Sequence, residues 1–265
     1  MEKIYDLTIT RPSGNDTGLI KGIVPVALKK QLNDIVEKKY KNVEQVGFYD
    51  FDKKTKTGLL EMAGGEFCGN ATRSTAYVLL EGKIGEITMK VSGVTRPLRA
   101  GIKRKNTAFT EIPIFNDFTS VENLFRDVTK VEIEGITHII TTRPMGTPEE
   151  LKLKAKALLD SFNLLYSRKC SGVMYLSEKD NEIIMDPVVW IRDIETLYYE
   201  TACASGATAV GVWKASQNTK KQTKIALTQP SGEKLSITIN KNKEQFVSAF
   251  IEGSLTILTQ ERITL

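Results

Sequence analysis

The chain is expected to fold as an α+β protein, and three observations point there. Short runs of alternating apolar and polar residues dominate, helical patterns are few, and two cysteine-centred segments recur in the same order of elements. Alternation with a period of two marks strands that bury one face, and most of the sheet is expected to be antiparallel. In chain order, Tyr5–Thr10 alternates as a strand, Val26 to Tyr40 carries apolar residues at helical spacing, and Gly85–Val91 alternates again. Glu149 to Leu164 reads as a helix, and Lys234–Ile239 and Leu255–Thr259 read as strands. Two further helices are expected directly after Cys68 and Cys203, where small residues give way to Ala, Thr and Ser with periodic apolar positions.

Those last two helices belong to an internal repeat. Cys68-Gly69-Asn70-Ala71-Thr72 runs through a helix and a strand to Val91-Ser92-Gly93, and Cys203-Ala204-Ser205-Gly206-Ala207 does the same to Pro230-Ser231-Gly232. Ser92 follows its cysteine by 24 residues and Ser231 by 28. Two related halves are therefore expected, residues 1–120 carrying Cys68 and residues 121–265 carrying Cys203, joined near residues 116–125, where Asn116–Ser120 looks like a turn, or in the strand that follows. The last strand is allowed to pair back with the first half.

Composition narrows the function classes. The 265 residues are 41% hydrophobic and 26% charged, an ordinary globular balance long enough to bury a core. The excess of basic over acidic residues, a net charge of +5, is scattered: Lys152, Lys154 and Lys156 follow Glu149 and Glu150. Only the short run Lys103–Lys105 clusters, so no nucleic-acid partner is expected. Neither a signal peptide nor a run of roughly 20 apolar residues is present, so no membrane partner is expected and the location is expected to be cytoplasmic. Three cysteines without a C-x-x-C pair, and one histidine, argue for reduced thiols rather than a disulfide framework or a metal site.

The cysteines carry the chemistry. A helix start offers unpaired N–H groups and the positive end of the dipole, which favour a thiolate and bind an anion. Moving an α-proton from one face of an amino acid to the other takes a base and an acid, and a thiolate–thiol pair supplies both. N–H groups of Gly69, Asn70, Ala204 and Ser205 are placed to stabilise the charge that builds up on the substrate. A lone cysteine reads as a small buried hydrophobe, as Cys170 does, whereas two at matching positions of a repeat read as a functional pair, Cys68 with Cys203. His138, beside Ile139 and Ile140, reads as a hydrogen-bonded structural residue.

Five segments resemble the diaminopimelate epimerase superfamily of cofactor-independent racemases: Pro12–Asp16, Glu44–Phe48, Glu66–Ala71, Thr137-His138 and Glu200–Gly206. They span almost the whole chain. The resemblance implies two pseudo-symmetric lobes, each a strand-rich barrel around a central helix, with the active site between them. It implies Cys68 and Cys203 as the acid/base pair and no cofactor. Asn15, Gln45, Gly69, Asn70, Ala204 and Ser205, with Glu195 and Glu200, are implied as substrate-binding.

The departures point to a branch. Where the epimerase carries a Glu-Arg-Gly run to hold a distal carboxylate, this chain reads Glu195-Thr196-Leu197. A second carboxylate buried there would lack a charged partner. The shortened spacing from Glu200 to Cys203, with the Glu66–Thr72 and Glu44–Phe48 segments, resembles the histidine racemase branch, and Tyr198 and Tyr199 are candidates to line a pocket for a flat side chain. Expected function is thus amino-acid racemisation, histidine favoured, with a small-molecule amino acid as partner and a homodimer among the permitted assemblies. Diaminopimelate epimerisation, racemisation of another amino acid, a non-catalytic amino-acid-binding protein and a thiol redox sensor remain open alternatives.

Overall fold

A computed structural model of the chain describes residues 3–192, 195–243 and 245–265. It divides into two units, residues 1–111 with 252–265, and residues 112–251. The division between Glu111 and Ile112 comes earlier than the join at residue 120. Asp117 caps the 3-10 turn Phe118–Ser120 and bridges Gln245, which ties that turn into the second unit.

The first unit contains β1 (Ile4–Pro12), β2 (Asp16–Lys21), α1 (Val26–Lys39), β3 (Val43–Asp52), β4 (Thr57–Met62), α2 (Gly69–Leu79), β5 (Gly85–Val91), β6 (Leu98–Arg104) and β7 (Thr107–Ile112). These strands neighbour one another in chain order. Two pairings are parallel, β2 with β3 across α1 and β4 with β5 across α2. A parallel neighbour needs such a crossover, which is why helices appear only there.

The strands are sided by their alternation. Ile20, Val46 and Phe48 pack with Leu32 and Val36 of α1, while their neighbours Leu19 and Tyr49 pack with Ala71 and Ala76 of α2. Burying Leu32 and Val36 completely stabilises this layer by about 1.5–3 kcal/mol each. Helix α2 is buried from Gly69 to Tyr77, polar positions included, because its Ala, Ser, Thr and Gly side chains let strands approach on all sides.

The second unit contains β8 (Val121–Phe125), β9 (Val128–Ile133), β10 (Ile136–Thr142), α3 (Pro148–Ser161), α4 (Leu164–Ser167), β11 (Cys170–Lys179), β12 (Glu182–Ile191), β13 (Thr196–Tyr199), α5 (Ala204–Ser216), β14 (Gln222–Thr228) and β15 (Lys234–Asn242). The last strand, β16 (Gln245–Thr264), lies in this unit up to Ile251. The order is β16-β15-β14-β12-β11-β10-β9-β8, with β13 on β12. From Glu252 onward β16 belongs to the first unit, where it neighbours β7 and pairs antiparallel with β1 from Leu255 to Thr264.

The second unit repeats the plan of the first. Its parallel pairs are β10 with β11 across α3 and β12 with β14 across α5. Helix α5 is buried nearly all round, like α2, and α3 covers the other side of the sheet through Leu151, Ala155 and Leu159. The chain is an α+β protein of two sheet-wrapped helices. The helix expected over Glu149 to Leu164 is interrupted: α3 starts on a Thr147–Glu150 capping box and stops at Ser161, and Asn163 turns left-handed (φ 57) before α4. No helix among the described residues is long and apolar enough to cross a membrane.

Candidate active site

Both cysteines are helix N-caps with nearly the same backbone. Cys68 has φ −131 and ψ 113, and Cys203 has φ −116 and ψ 109. Each sulfur accepts the N–H three residues on, from Ala71 at 3.2 Å and from Gly206 at 3.3 Å. This is the capping position where Ser or Asp is usual. A sulfur there sits on the positive end of the helix dipole, where a thiolate is favoured.

The segments ahead of the caps are also held alike. In the first unit the Ser92 N–H donates to Leu60 O (2.9 Å), while its hydroxyl accepts from Met62 N–H (2.9 Å) and donates to Glu66 O (2.7 Å). In the second, the Ser231 N–H donates to Thr201 O (3.1 Å), and Gln229 Oε1 accepts the Cys203 N–H (3.1 Å). The two serines of the sequence repeat thus tie the loop after the strand to the segment leading into the cysteine.

In the first unit Gly69 and Asn70 form the first turn of the helix that Cys68 caps, and Asn15 and Gln45 pair with each other. Asn15 is buried at the β1–β2 turn; its Oδ1 accepts from Gln45 Nε2 at 2.8 Å and its Nδ2 donates to Glu44 at 2.5 Å. What joins this turn to the helix start is Arg73, fully buried on α2. Its guanidinium donates to Asn70 Oδ1 (3.3 and 3.2 Å), Ser13 Oγ (3.1 Å) and Ser254 O (3.1 Å). Sequence reasoning missed Arg73 and Glu44. The signal for Arg73 was present: one long cation among the small residues that fill the helix from Gly69 to Ala76.

In the second unit Glu200, Ala204 and Ser205 gather about Cys203. Burial first, then the charge of Glu200 and a hydrogen bond donated to it, push the Cys203 thiol well above its usual range. Ser205 and the Gly206 N–H pull the other way. The Ser205 hydroxyl lies 3.5 Å from the Cys203 sulfur and 3.1 Å from His138 Nε2. His138 is fully buried, and burial pulls it down to about 3, so the ring is neutral. The histidine read as structural is therefore hydrogen-bonded, one side chain away from Cys203.

Glu195 stands apart. It is exposed in the β12–β13 turn with φ 50, and the four residues of β13 separate it from Glu200, five residue steps or about 16 Å at the usual rise. Tyr198 is partly exposed, while the Tyr199 hydroxyl donates to Asp186, which also holds Arg143. Cys170 is half-buried at the start of β11 opposite Ile191, away from any helix start. Among the described residues no group of three or more His, Cys, Asp or Glu is placed to hold a metal ion.

Comparison with known proteins matches residues 6–263 to the model of the family described as "Histidine racemase CntK N-terminal domain". A histidine racemase from Fusobacterium nucleatum (ATCC 23726) is 31% identical over 250 residues, covering 87% of this chain and 88% of that protein. One from Staphylococcus aureus (Mu50) is 23% identical, covering 96% and 95%. Among solved structures, a hydroxyproline epimerase from Agrobacterium vitis superposes with a TM-score of 0.69 at 11% identity, over 100% of this chain and 92% of that one. A probable proline racemase from Agrobacterium radiobacter gives 0.68 at 12% identity, over 98% and 93%. At these identities the structures share the fold.

Proposed function

Because this chain belongs to the histidine racemase family and is an amino-acid racemase, we propose that it interconverts L- and D-histidine by two-base proton transfer, with Cys68 and Cys203 as the two groups. The observation that carries the reading is the matched capping geometry: two cysteines on one backbone conformation, each sulfur accepting an N–H at the positive end of a helix. Inverting a stereocentre takes two such groups, since the proton that leaves one face returns on the other. One thiolate takes the α-proton and becomes a thiol; the other thiol donates and becomes a thiolate.

The reaction's difficulty is the charge left on the α-carbon and spread onto the carboxylate. First-turn N–H groups of Gly69, Asn70, Ala204 and Ser205 point out of their helix ends and stabilise that charge without reorganising. Asn15 and Gln45, already oriented by each other, hold the head group on the Cys68 side, and Glu200 takes the ammonium on the Cys203 side. The chemistry proposed needs no pyridoxal phosphate and no metal. Its place is the cytoplasm, where thiols stay reduced.

Histidine is favoured over a diacid because Glu195-Thr196-Leu197 offers no cation to a distal carboxylate. The test is loss of the α-proton signal by proton NMR in heavy water, with the protein dialysed against chelator, across a panel of amino acids. L-histidine is expected to exchange fastest, ahead of LL-diaminopimelate by the worth of one charged contact, about 10- to 150-fold in kcat/KM. A preference for diaminopimelate by that margin overturns the histidine assignment. Loss of exchange on chelation, restored by metal, overturns the metal-free chemistry.

A further inference from the structure

Arg73 is a buried cation with only neutral hydrogen-bond acceptors. Its guanidinium makes four hydrogen bonds, two to an amide oxygen and one each to a hydroxyl and a backbone carbonyl, and none of its partners among the described residues is a carboxylate. The carboxylates on strands around α2 are engaged elsewhere: Asp16 with Arg11, Glu44 with Asn15, Glu61 with Lys29 and Glu86 with Arg99. An unneutralised guanidinium buried at 0% exposure is costly unless something nearby supplies negative charge.

The helix supplies it one turn back. Long side chains on a helix lean toward its N-terminus. The Nε and Nη2 contacts to Asn70 hold the guanidinium over the first turn of α2, where the Cys68 sulfur caps the helix. Burial pulls Arg73 down to about 9, and the Cys68 thiolate is the one charge that opposes the shift. That attraction is mutual: whatever a thiolate gives the guanidinium, the guanidinium returns.

The second half of the repeat lacks this cation. Five residues past Cys203, as Arg73 is five past Cys68, stands Thr208, whose hydroxyl donates to Ala204 O at 2.9 Å. Cys203 meets Glu200 instead, and its thiol is held in the protonated form. The repeat has kept its backbone but places a buried cation in the first two turns of only one of its two helices.

We propose that Arg73 is a positioning residue that keeps Cys68 as the thiolate of the resting protein, while Cys203 carries the proton. The proposal rests on the reading of both cysteines as acid/base groups. The proton balance follows. Cys68 takes the α-proton of the enantiomer it faces and becomes a thiol, and Cys203 donates its own proton and becomes a thiolate. The product form of the protein then holds its charge at the disfavoured sulfur. It returns to rest by exchange with solvent or by turning over the opposite enantiomer.

The test is alkylation of each cysteine by iodoacetamide across pH, read by peptide mass in the wild-type chain, Arg73→Lys and Arg73→Met. In the wild type at neutral pH, Cys68 is expected to react at least about tenfold faster than Cys203. Arg73→Met is expected to erase that advantage and move the Cys68 profile to higher pH, Arg73→Lys to keep most of it, and Cys203 to be unaffected. An unchanged Cys68 profile in Arg73→Met, or Lys behaving like Met, overturns the proposal. Should Arg73→Met fail to fold, thiolate absorbance at 240 nm in Cys170→Ala/Cys203→Ala, which leaves Cys68 alone, decides it. Absence of thiolate at neutral pH there overturns it. If Cys68→Ala still racemises, it is the acid/base reading that fails, independently of the titration.

Discussion

Gly93 and Gly232 occupy the same place in the two halves, one residue past Ser92 and Ser231, and replacing each by alanine separates backbone strain from displacement of the cysteine. Both glycines are left-handed, at φ +75 and +81, so a Cβ costs each about 1–2 kcal/mol. The surroundings differ. At Gly232 an added Cβ has nothing within 4 Å, whereas at Gly93 it falls 2.5 Å from Phe67 N and 2.9 Å from Glu66 C. Backbone atoms cannot rotate away, so the Glu66–Phe67 segment must retreat by roughly 1 Å, with an overpacking cost of about 1–3 kcal/mol more. That segment leads directly into Cys68. Gly93→Ala is therefore expected to lose about 2–5 kcal/mol of stability, and a shift of ~1 Å at the reacting sulfur to lower exchange by about 10²-fold. Gly232→Ala is expected to lose only the strain term and to keep activity within a few fold. Urea unfolding midpoints and α-proton exchange in heavy water measure the two quantities. If Gly93→Ala matched Gly232→Ala in both, the coupling of the Ser92–Gly93 loop to Cys68 would be wrong.

Cys68→Ala or Cys203→Ala is expected to slow racemisation by at least about 10²-fold, the usual worth of an acid/base group, whereas Cys170→Ala stays within a few fold; near-wild-type turnover by Cys203→Ala contradicts the two-base assignment. His138, held neutral with its pKa pulled down to about 3, leaves the unfolded chain binding more protons between that value and the ordinary ~6.5. Stability is expected to fall as pH drops below about 6.5, at up to ~1.4 kcal/mol per unit from this residue, and to level off above it. Urea titrations of wild type and His138→Gln at several pH values check this: an equal acid slope in the variant refutes the role given to burial of the ring.

Much of the frame was legible locally. The strand at Gly85–Val91 and the helix from Val26 are written in apolar periodicity, which a few neighbouring residues specify. The cysteine repeat predicted two helix starts, and Cys68 and Cys203 cap α2 and α5. The break at Asn163 was not legible, because the helical pattern runs on through Leu164 while one left-handed residue ends the helix. The division between Glu111 and Ile112 was not legible, because the turn signal at residues 116–120 does not say which sheet the turn packs with.

The site divides the same way. Sequence by itself singled out the candidate residues: two cysteines at helix starts, with Asn15, Gln45 and Asn70 in segments that resemble one family. Only the tertiary structure decided what surrounds them. Arg73 reaches Ser13 across 60 positions and Ser254 across 181, and His138 reaches Ser205 across 67. Glu195 and Glu200, five apart in the chain, are separated by a strand, and only Glu200 bears on Cys203. Period and capping are short-range properties that a stretch of sequence states outright. The charge on a sulfur depends on burial and on partners brought from distant strands, and those exist only once the chain has folded.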